Sequence, residues 1–202
     1  GWNPCVLSVK NPDTSCHTLG SDQPPPHVST FYDRSLFHLN RATWKANGLI
    51  RILARLMGRD LRANVVFNLV CLPDDAIGWV LPAFAKGHRL IKSRRIDCIY
   101  VSCKPFSAAI AGLLLKKAHL KPLILDLRDP VSFPNLAFDK DLSGRFRRRS
   151  LQKIEEAVFK HADALIVTSD EIKSIYLSLY PFLRGKIHRI YNGFSFVPSR
   201  NE

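Results

Sequence analysis

Four polar segments in the second half of the chain contain the residues best suited to bind a ligand. Each segment follows an apolar run, and they span residues 102–107, 126–130, 168–171 and 192–194. Arg128 could hold an oxyanion through paired hydrogen bonds, and Asp126 or Asp129 could accept a hydrogen bond from a ligand hydroxyl or act as a base toward it. Backbone N–H groups at helix starts near Ser107 and Ser169 could hold a phosphate or carboxylate.

Each of these residues also has a purely structural interpretation. Helix capping, turn formation and ion pairing could account for Ser107, Thr168, Asn192, Gly193, Arg128 and Asp129. Asp126 is different because it lies at the end of an apolar strand, where a carboxylate is costly to bury without partners or a task. The sequence therefore favours a functional role for Asp126.

Alternating apolar runs and helical periods predict the elements that position these segments. Strands are predicted at 4–9, 97–102, 122–127, 164–167 and 186–191, helices at 45–59, 106–119, 145–161 and 171–179, and a Pro-rich loop at 11–30. Near-continuous apolar strands are typical of parallel sheets covered on both faces, and the alternation predicts a Rossmann-like, doubly wound α/β fold. Ligands of such sheets bind beyond the carboxyl ends of the strands, where all four polar segments fall.

The predicted helix at 45–59 is both basic and amphipathic. Its apolar face comprises Leu49, Ile52, Leu53, Leu56 and Met57, and its basic face comprises Arg51, Arg55 and Arg59. Packing of the apolar face on the protein's own core is the simpler interpretation. A helix lying on a membrane surface is the alternative.

Composition limits the classes of protein that the chain can be. Its 202 residues and 46% hydrophobic content suit one globular domain, and the net charge of +13 attracts polyanions such as nucleic acid, anionic lipid or phosphorylated substrates. Five cysteines without a CxxC pair predict free, mostly buried thiols and no zinc site. There is no GxGxxG, Walker A, GxSxG or HExxH motif, and no apolar run reaches the ~20 residues needed to cross a bilayer.

Taken in order, six segments resemble the N-terminal domain of retaining GT-B glycosyltransferases of the glycogen-synthase-like, lipopolysaccharide-core-like group. They are DDAIGWVLPA (74–83), DCIYVS (97–102), PFS (105–107), PLILDLRDP (122–130), ADALIVTS (162–169) and IYNGF (190–194). The resemblance covers roughly residues 2–194. It implies two Rossmann-like domains facing a cleft, the N-terminal one binding the acceptor and the C-terminal one binding a nucleotide sugar, usually without a metal. No cofactor is then expected in the present domain.

The resemblance also implies roles for individual residues. Asp126, Arg128 and Asp129 match positions that line the family's acceptor cleft. Together with the polar segments at the strand ends, the expected acceptor-binding set is Lys104, Ser107, Asp126, Arg128, Asp129, Thr168, Ser169 and Glu171, with Asp126 and Asp129 as the catalytic candidates. Asn192 and Gly193 match the hinge, so residues 1–194 are expected to form the acceptor-side domain and 195–202 to begin the linker. The family's first strand and its donor domain are expected to lie outside the chain, which would then not be active alone.

Free cysteines indicate a reduced, cytosolic setting, so we expect a cytoplasmic protein. The resemblance implies a sugar or lipid-linked acceptor, and a lipid-linked one makes peripheral attachment to the cytoplasmic face of the membrane the alternative. The candidate residues for an anionic surface are Arg51, Arg55, Arg59, Arg147 and Arg148. The chain departs from its relatives in having Val131 where they often have Trp and Lys104 where they often have Pro.

Two rival functions stay open on the sequence. One is half of a sugar-nucleotide epimerase, which shares the GT-B architecture but needs no acceptor. The other is a non-catalytic basic module that binds nucleic acid or an anionic membrane. Nucleic acid is the less favoured partner, because the helical spacing of Phe146 and Phe159 predicts that at least one of them is buried in the core rather than exposed for base stacking.

Overall fold

A computed structural model describes residues 2–9, 28–36, 39–58, 65–132 and 142–193. The strands are β1 (Cys5–Val9), β2 (Ser29–Asp33), β3 (Ile99–Cys103), β4 (Leu123–Leu127), β5 (Ala164–Val167) and β6 (Ile187–Arg189). The helices are α1 (Leu39–Leu56), α2 (Val65–Val70), α3 (Val80–Ser93), α4 (Ser107–His119), α5 (Leu142–His161) and α6 (Asp170–Leu179). Short 3₁₀ helices span Asp75–Trp79 and Pro181–Leu183.

The main sheet contains four parallel strands in the order β3-β4-β5-β6. A helix connects each strand to the next, because a parallel neighbour can be reached only by a crossover. Every residue of β4 is at least half-buried. Leu123, Leu125 and Leu127 on one face are completely buried and Asp126 on the other face is 1% exposed, as expected for a central strand covered on both faces. The predicted parallel, Rossmann-like α/β fold is confirmed.

A second, two-stranded parallel sheet pairs β1 with β2. The prediction that 11–30 is entirely loop is wrong at its end, because β2 begins at Ser29. Its sequence, STFYD, contains the β-branched and aromatic residues that favour strands. The Pro-rich centre of the predicted loop lies outside the described residues.

The core joins the main sheet to α4, α5 and α6. Phe159 is fully buried and meets the rings of Tyr176 and Tyr180 edge-on, with ring centroids 5.4 and 5.7 Å away. The prediction that at least one of Phe146 and Phe159 is buried is confirmed by Phe159, whereas Phe146, on another side of α5, is about half exposed.

A small residue allows α4 to pack closely on the sheet. A Cβ added at Gly112 would lie 2.7 Å from Cγ2 of Val101 and 3.1 Å from Cδ1 of Leu123. On its other side α4 packs against α3, where His119 Nε2 lies 2.9 Å from His88 Nδ1. Burial, Lys92 and His119 together lower the pKa of His88.

The buried carboxylate of Glu155 links the segment that follows β4 to the core through hydrogen bonds. Glu155 of α5 accepts hydrogen bonds from the hydroxyls of Tyr176 (2.9 Å), Tyr180 (3.0 Å) and Ser132. Tyr176 Oη in turn accepts from the backbone N–H of Val131, at 3.2 Å. Burial raises the pKa of Glu155, and the three hydroxyl donors oppose that rise.

α1 packs with the face opposite to the one expected. Thr43, Asn47 and Ala54 are buried, and Asn47 Oδ1 accepts a hydrogen bond from the N–H of Val66 in α2 at 3.0 Å. Every member of the predicted apolar face is exposed, namely Leu49, Ile52, Leu53, Leu56 and Met57. Packing of this face on the core is therefore wrong for the described residues.

Candidate functional site

The carboxyl ends of the four main strands form one edge, here called the carboxyl edge. Cys103 is the register partner of Leu127, Leu127 of Val167, and Val167 of Arg189. Because the strands are parallel and end in step, the four polar segments singled out in the sequence emerge side by side. Side-chain contacts then connect them directly.

Asp126 is the centre of these contacts. It is only 1% exposed, and its Oδ2 accepts hydrogen bonds from Tyr100 Oη (2.5 Å) and Arg128 Nε (2.8 Å). A second guanidinium nitrogen of Arg128 lies 2.7 Å from the same oxygen. Asp126 Oδ1 is buried and accepts no hydrogen bond from the described residues. The carboxylate therefore stabilises its two partners and keeps one free acceptor atom.

The pKa shifts of the partners agree with this geometry. The hydrogen bond to Asp126 raises the pKa of Arg128, so its guanidinium stays charged. Burial, with the hydrogen bond to Asp126, raises the pKa of Tyr100, so its hydroxyl keeps its proton. Both groups are thus fixed as donors at neutral pH.

Arg128 extends the network to the last polar segment. Its NH1 donates to Asn192 Oδ1 at 2.7 Å, and its backbone carbonyl accepts from the Thr168 hydroxyl at 3.4 Å. Three of the four predicted segments are therefore connected through Arg128. Asn192, the predicted hinge residue, is exposed and adjoins the end of β6.

Lys104 and Asp129 form an ion pair on the exposed side of the same edge. Lys104 Nζ lies 3.0 Å from Asp129 Oδ2, and the two side chains are 69% and 60% exposed. An ion pair this exposed contributes at most about 1 kcal/mol to stability. Either side chain can therefore leave the ion pair and bind a ligand with little loss of free energy.

The start of α4 differs from the sequence-based expectation. Ser107 is completely buried, and its N–H and hydroxyl both donate to Asp74, at 3.0 and 2.6 Å. Asp74 also accepts from the N–H of Ala76 at 3.0 Å. The protein's own carboxylate occupies the predicted anion site, so the expected acceptor contact by Ser107 is wrong.

The start of α6 is capped by Ser169. Its Oγ accepts from the N–H of Ile172 at 3.3 Å, and a hydrogen bond to Ser169 lowers the pKa of Glu171. The expectation that Thr168 caps this helix is wrong by one residue. The Thr168 hydroxyl donates to the backbone carbonyl of Arg128 instead. Asp170 pairs with Arg189 of β6.

Arg147 is not a surface residue. It is buried, and its guanidinium donates to the carbonyls of Cys71 (2.5 Å), Pro73 (2.8 Å) and Phe67 (3.4 Å). The guanidinium also lies over the Phe67 ring, 4.8 Å from its centroid. Its proposed contact with a membrane is therefore wrong, because the charge is used to join α5 to the chain after α2.

The other basic candidates differ in exposure. Arg55 is exposed, whereas Arg51 and Arg148 are half-buried. Arg59 lies outside the described residues.

Two of the described thiols, Cys71 and Cys103, are poor nucleophiles because burial raises their pKa. Cys71 and Cys103 are buried, and burial raises the pKa of Cys103, which lies at the carboxyl edge, to about 12. Cys5 and Cys98 are free and half-buried. Within the described ranges, no three His, Cys, Asp or Glu side chains are grouped so that they could hold a metal ion.

Two site residues were missed by sequence reasoning. Tyr100 had a detectable signal, because it lies two residues before Ser102, the register partner of Asp126, and so shares the face of the sheet on which Asp126 lies. Asp74 begins the segment 74–83, and its capping of the 3₁₀ helix at Asp75–Trp79 is readable from the sequence. Its contact with Ser107 is not, since 33 residues separate them.

The fold and the carboxyl edge define a Rossmann-like α/β domain with its polar residues where such domains bind ligands. The family model of glycosyltransferase family 4 matches residues 33–196, and the chain belongs to this family. It corresponds to the N-terminal domain of a GT-B glycosyltransferase. The match includes every residue of the carboxyl edge described above. No curated protein matches the chain.

Proposed function

We propose that this domain binds the acceptor of a retaining glycosyltransferase that transfers a sugar from a nucleotide sugar during glycan or polysaccharide synthesis. Family membership supports the class of enzyme. The Asp126–Arg128 contact carries the proposal, because it fixes a charged donor at the edge where ligands of this fold bind. The nucleotide sugar would bind a C-terminal domain, and this chain alone would bind acceptor without transferring sugar.

The balance of charges at the carboxyl edge favours a neutral acceptor rich in hydroxyls. Arg128 is paired with Asp126, and Lys104 with Asp129. The exposed carboxylate of Asp129 would repel a polyanion, whereas sugar hydroxyls can donate to Asp129 and accept from Lys104 and Arg128. This local neutrality disfavours nucleic acid as the ligand of the edge despite the net charge of +13.

Burial divides the roles of the two aspartates. Asp126 is 1% exposed, so an acceptor would contact Tyr100 and Arg128 rather than Asp126 itself. We assign Asp126 as a positioning residue that orients those two donors. Asp129 is exposed and is the better placed of the two to accept a proton or hydrogen bond from an acceptor hydroxyl.

Acceptor binding by the 202-residue chain tests this assignment. Saturation-transfer NMR against a panel of oligosaccharides should find a ligand, and Arg128→Gln should weaken its binding by roughly 10- to 100-fold, the value of a charge-assisted hydrogen bond. Lys117→Gln, an exposed cation near the far end of α4, is the matched control and should have no effect. Binding that is unchanged in Arg128→Gln would contradict the proposed site.

A further inference from the structure

The surface of α1 that points away from the protein is apolar. Leu49, Ile52, Leu53 and Leu56, here called the outer ridge, are 50–79% exposed. At 100° per residue they lie on the side opposite the buried Thr43, Asn47 and Ala54. The helix is therefore packed through its small and polar residues and presents its large apolar ones to the outside.

The outer ridge is not an isolated feature. Met57 adjoins it and is also exposed, Trp44 is exposed on a neighbouring side of α1, and α2, which packs against α1, exposes Leu69 and Val70. Single exposed leucines are normal on protein surfaces, but a continuous row of this kind marks a surface that binds a membrane, another protein or an apolar ligand.

The charges of α1 and α2 indicate which kind of partner binds the outer ridge. The sequence of α1, LNRATWKANGLIRILARL, contains four basic residues and no acidic one, and α2 has no charged residue at all. Lys45 lies within the outer ridge and Arg55 lies to one side of it, and both side chains are exposed. Leucines, an exposed Trp and basic residues together are the composition of helices that lie in a membrane interface.

We propose that the outer ridge of α1 docks on an anionic lipid surface, with the leucines inserted among the acyl chains and Lys45 and Arg55 at the headgroups. A second copy of the chain suits this surface less well, because two identical basic helices would face each other. Nucleic acid would use the cations but would gain nothing from the leucines. Within the described residues, no helix is long and apolar enough to cross a bilayer.

Vesicle co-sedimentation of the 202-residue chain tests the proposal. We expect binding to vesicles of phosphatidylcholine with phosphatidylserine, and much weaker binding to phosphatidylcholine alone. Ile52→Ser with Leu56→Ser should weaken binding at least tenfold, since several buried CH₂ groups are lost. The matched control, Leu81→Ser with Leu179→Ser, removes two exposed leucines from other helices and should bind like the wild type.

A charge variant separates the two parts of the surface. Lys45→Gln with Arg55→Gln should weaken binding by roughly fivefold per residue, only on the anionic vesicles and less at high salt. Lys117→Gln with Arg184→Gln, which removes two exposed cations elsewhere, should leave binding unchanged.

Three results would overturn the proposal. The first is absence of binding to anionic vesicles, or binding that survives the serine variant. The second is a dimer in sedimentation velocity that the serine variant dissociates, which would make the ridge a self-association surface. The third is a melting temperature of the serine variant that falls clearly further than that of the Leu81→Ser with Leu179→Ser control, which would mean that the chain itself covers the ridge. None of these measurements uses a sugar, so failure here leaves the proposed acceptor site untouched.

Discussion

Replacing Arg147 by Gln tests whether this arginine joins α5 to the chain after α2. Its guanidinium donates to three backbone carbonyls, of Cys71, Pro73 and Phe67. A hydrogen bond that involves a charged group contributes about 1.5–3 kcal/mol, and two of the three contacts are short. Burial opposes this gain by lowering the pKa of Arg147, so we expect a net loss of about 3 kcal/mol in the free energy of unfolding.

Urea denaturation followed by circular dichroism measures this loss. Arg149→Gln is the matched control, because Arg149 is an exposed cation two residues further along the same helix. Its free energy of unfolding should stay within about 0.5 kcal/mol of the wild type. A loss below about 1 kcal/mol for Arg147→Gln, or equal losses for the two variants, would refute the structural role of Arg147.

Three further predictions concern packing, a buried carboxylate and pH. Gly112→Ala should lower the free energy of unfolding by about 1–2 kcal/mol because its new methyl meets a valine of β3, whereas Gly48→Ala, with nothing within 4 Å, should raise it by up to about 1 kcal/mol in the same urea titration. Glu155→Ala should cost about 3 kcal/mol in guanidinium unfolding, because three buried hydroxyls lose their acceptor. His88 has a lowered pKa, so the folded state binds fewer protons than the unfolded state and stability should fall as the pH drops below 6.5. Thermal melts across that range should show a smaller fall for His88→Gln, and an equal fall would exclude His88 as the cause.

Local patterns were sufficient to predict the parallel α/β fold. β5 coincides with the predicted strand at 164–167, and α6 begins one residue before its predicted start. Apolar runs of four to six residues separated by helical periods leave few alternatives to a parallel sheet. The meeting of the polar segments at the carboxyl edge follows from that topology alone.

The individual contacts of the site depend on distant parts of the chain and were less predictable. Arg147 contacts Cys71 across 76 positions, and Asp74 contacts Ser107 across 33. No short pattern records such a pairing. A run of arginines looks like an exposed basic patch until one of them is found in the interior.

α1 shows a different limit of sequence reasoning. Its periodicity established that one face is apolar, but periodicity does not say which face meets the core. The small side chains of Thr43 and Ala54 allow close packing, and Asn47 bonds to α2, so the opposite face is the one that packs. The apolar residues are then left for another partner.

Acceptor binding at the carboxyl edge is tested most directly by acceptor-dependent release of nucleoside diphosphate from the enzyme that contains this domain together with a donor domain. We expect release that requires an acceptor, and an Arg128→Gln variant whose KM for the acceptor rises about tenfold or more while the KM for the nucleotide sugar is unchanged. Conversion of the nucleotide sugar without any acceptor would instead indicate an epimerase. An Arg128→Gln variant with wild-type acceptor kinetics would contradict the acceptor site assigned to the carboxyl edge.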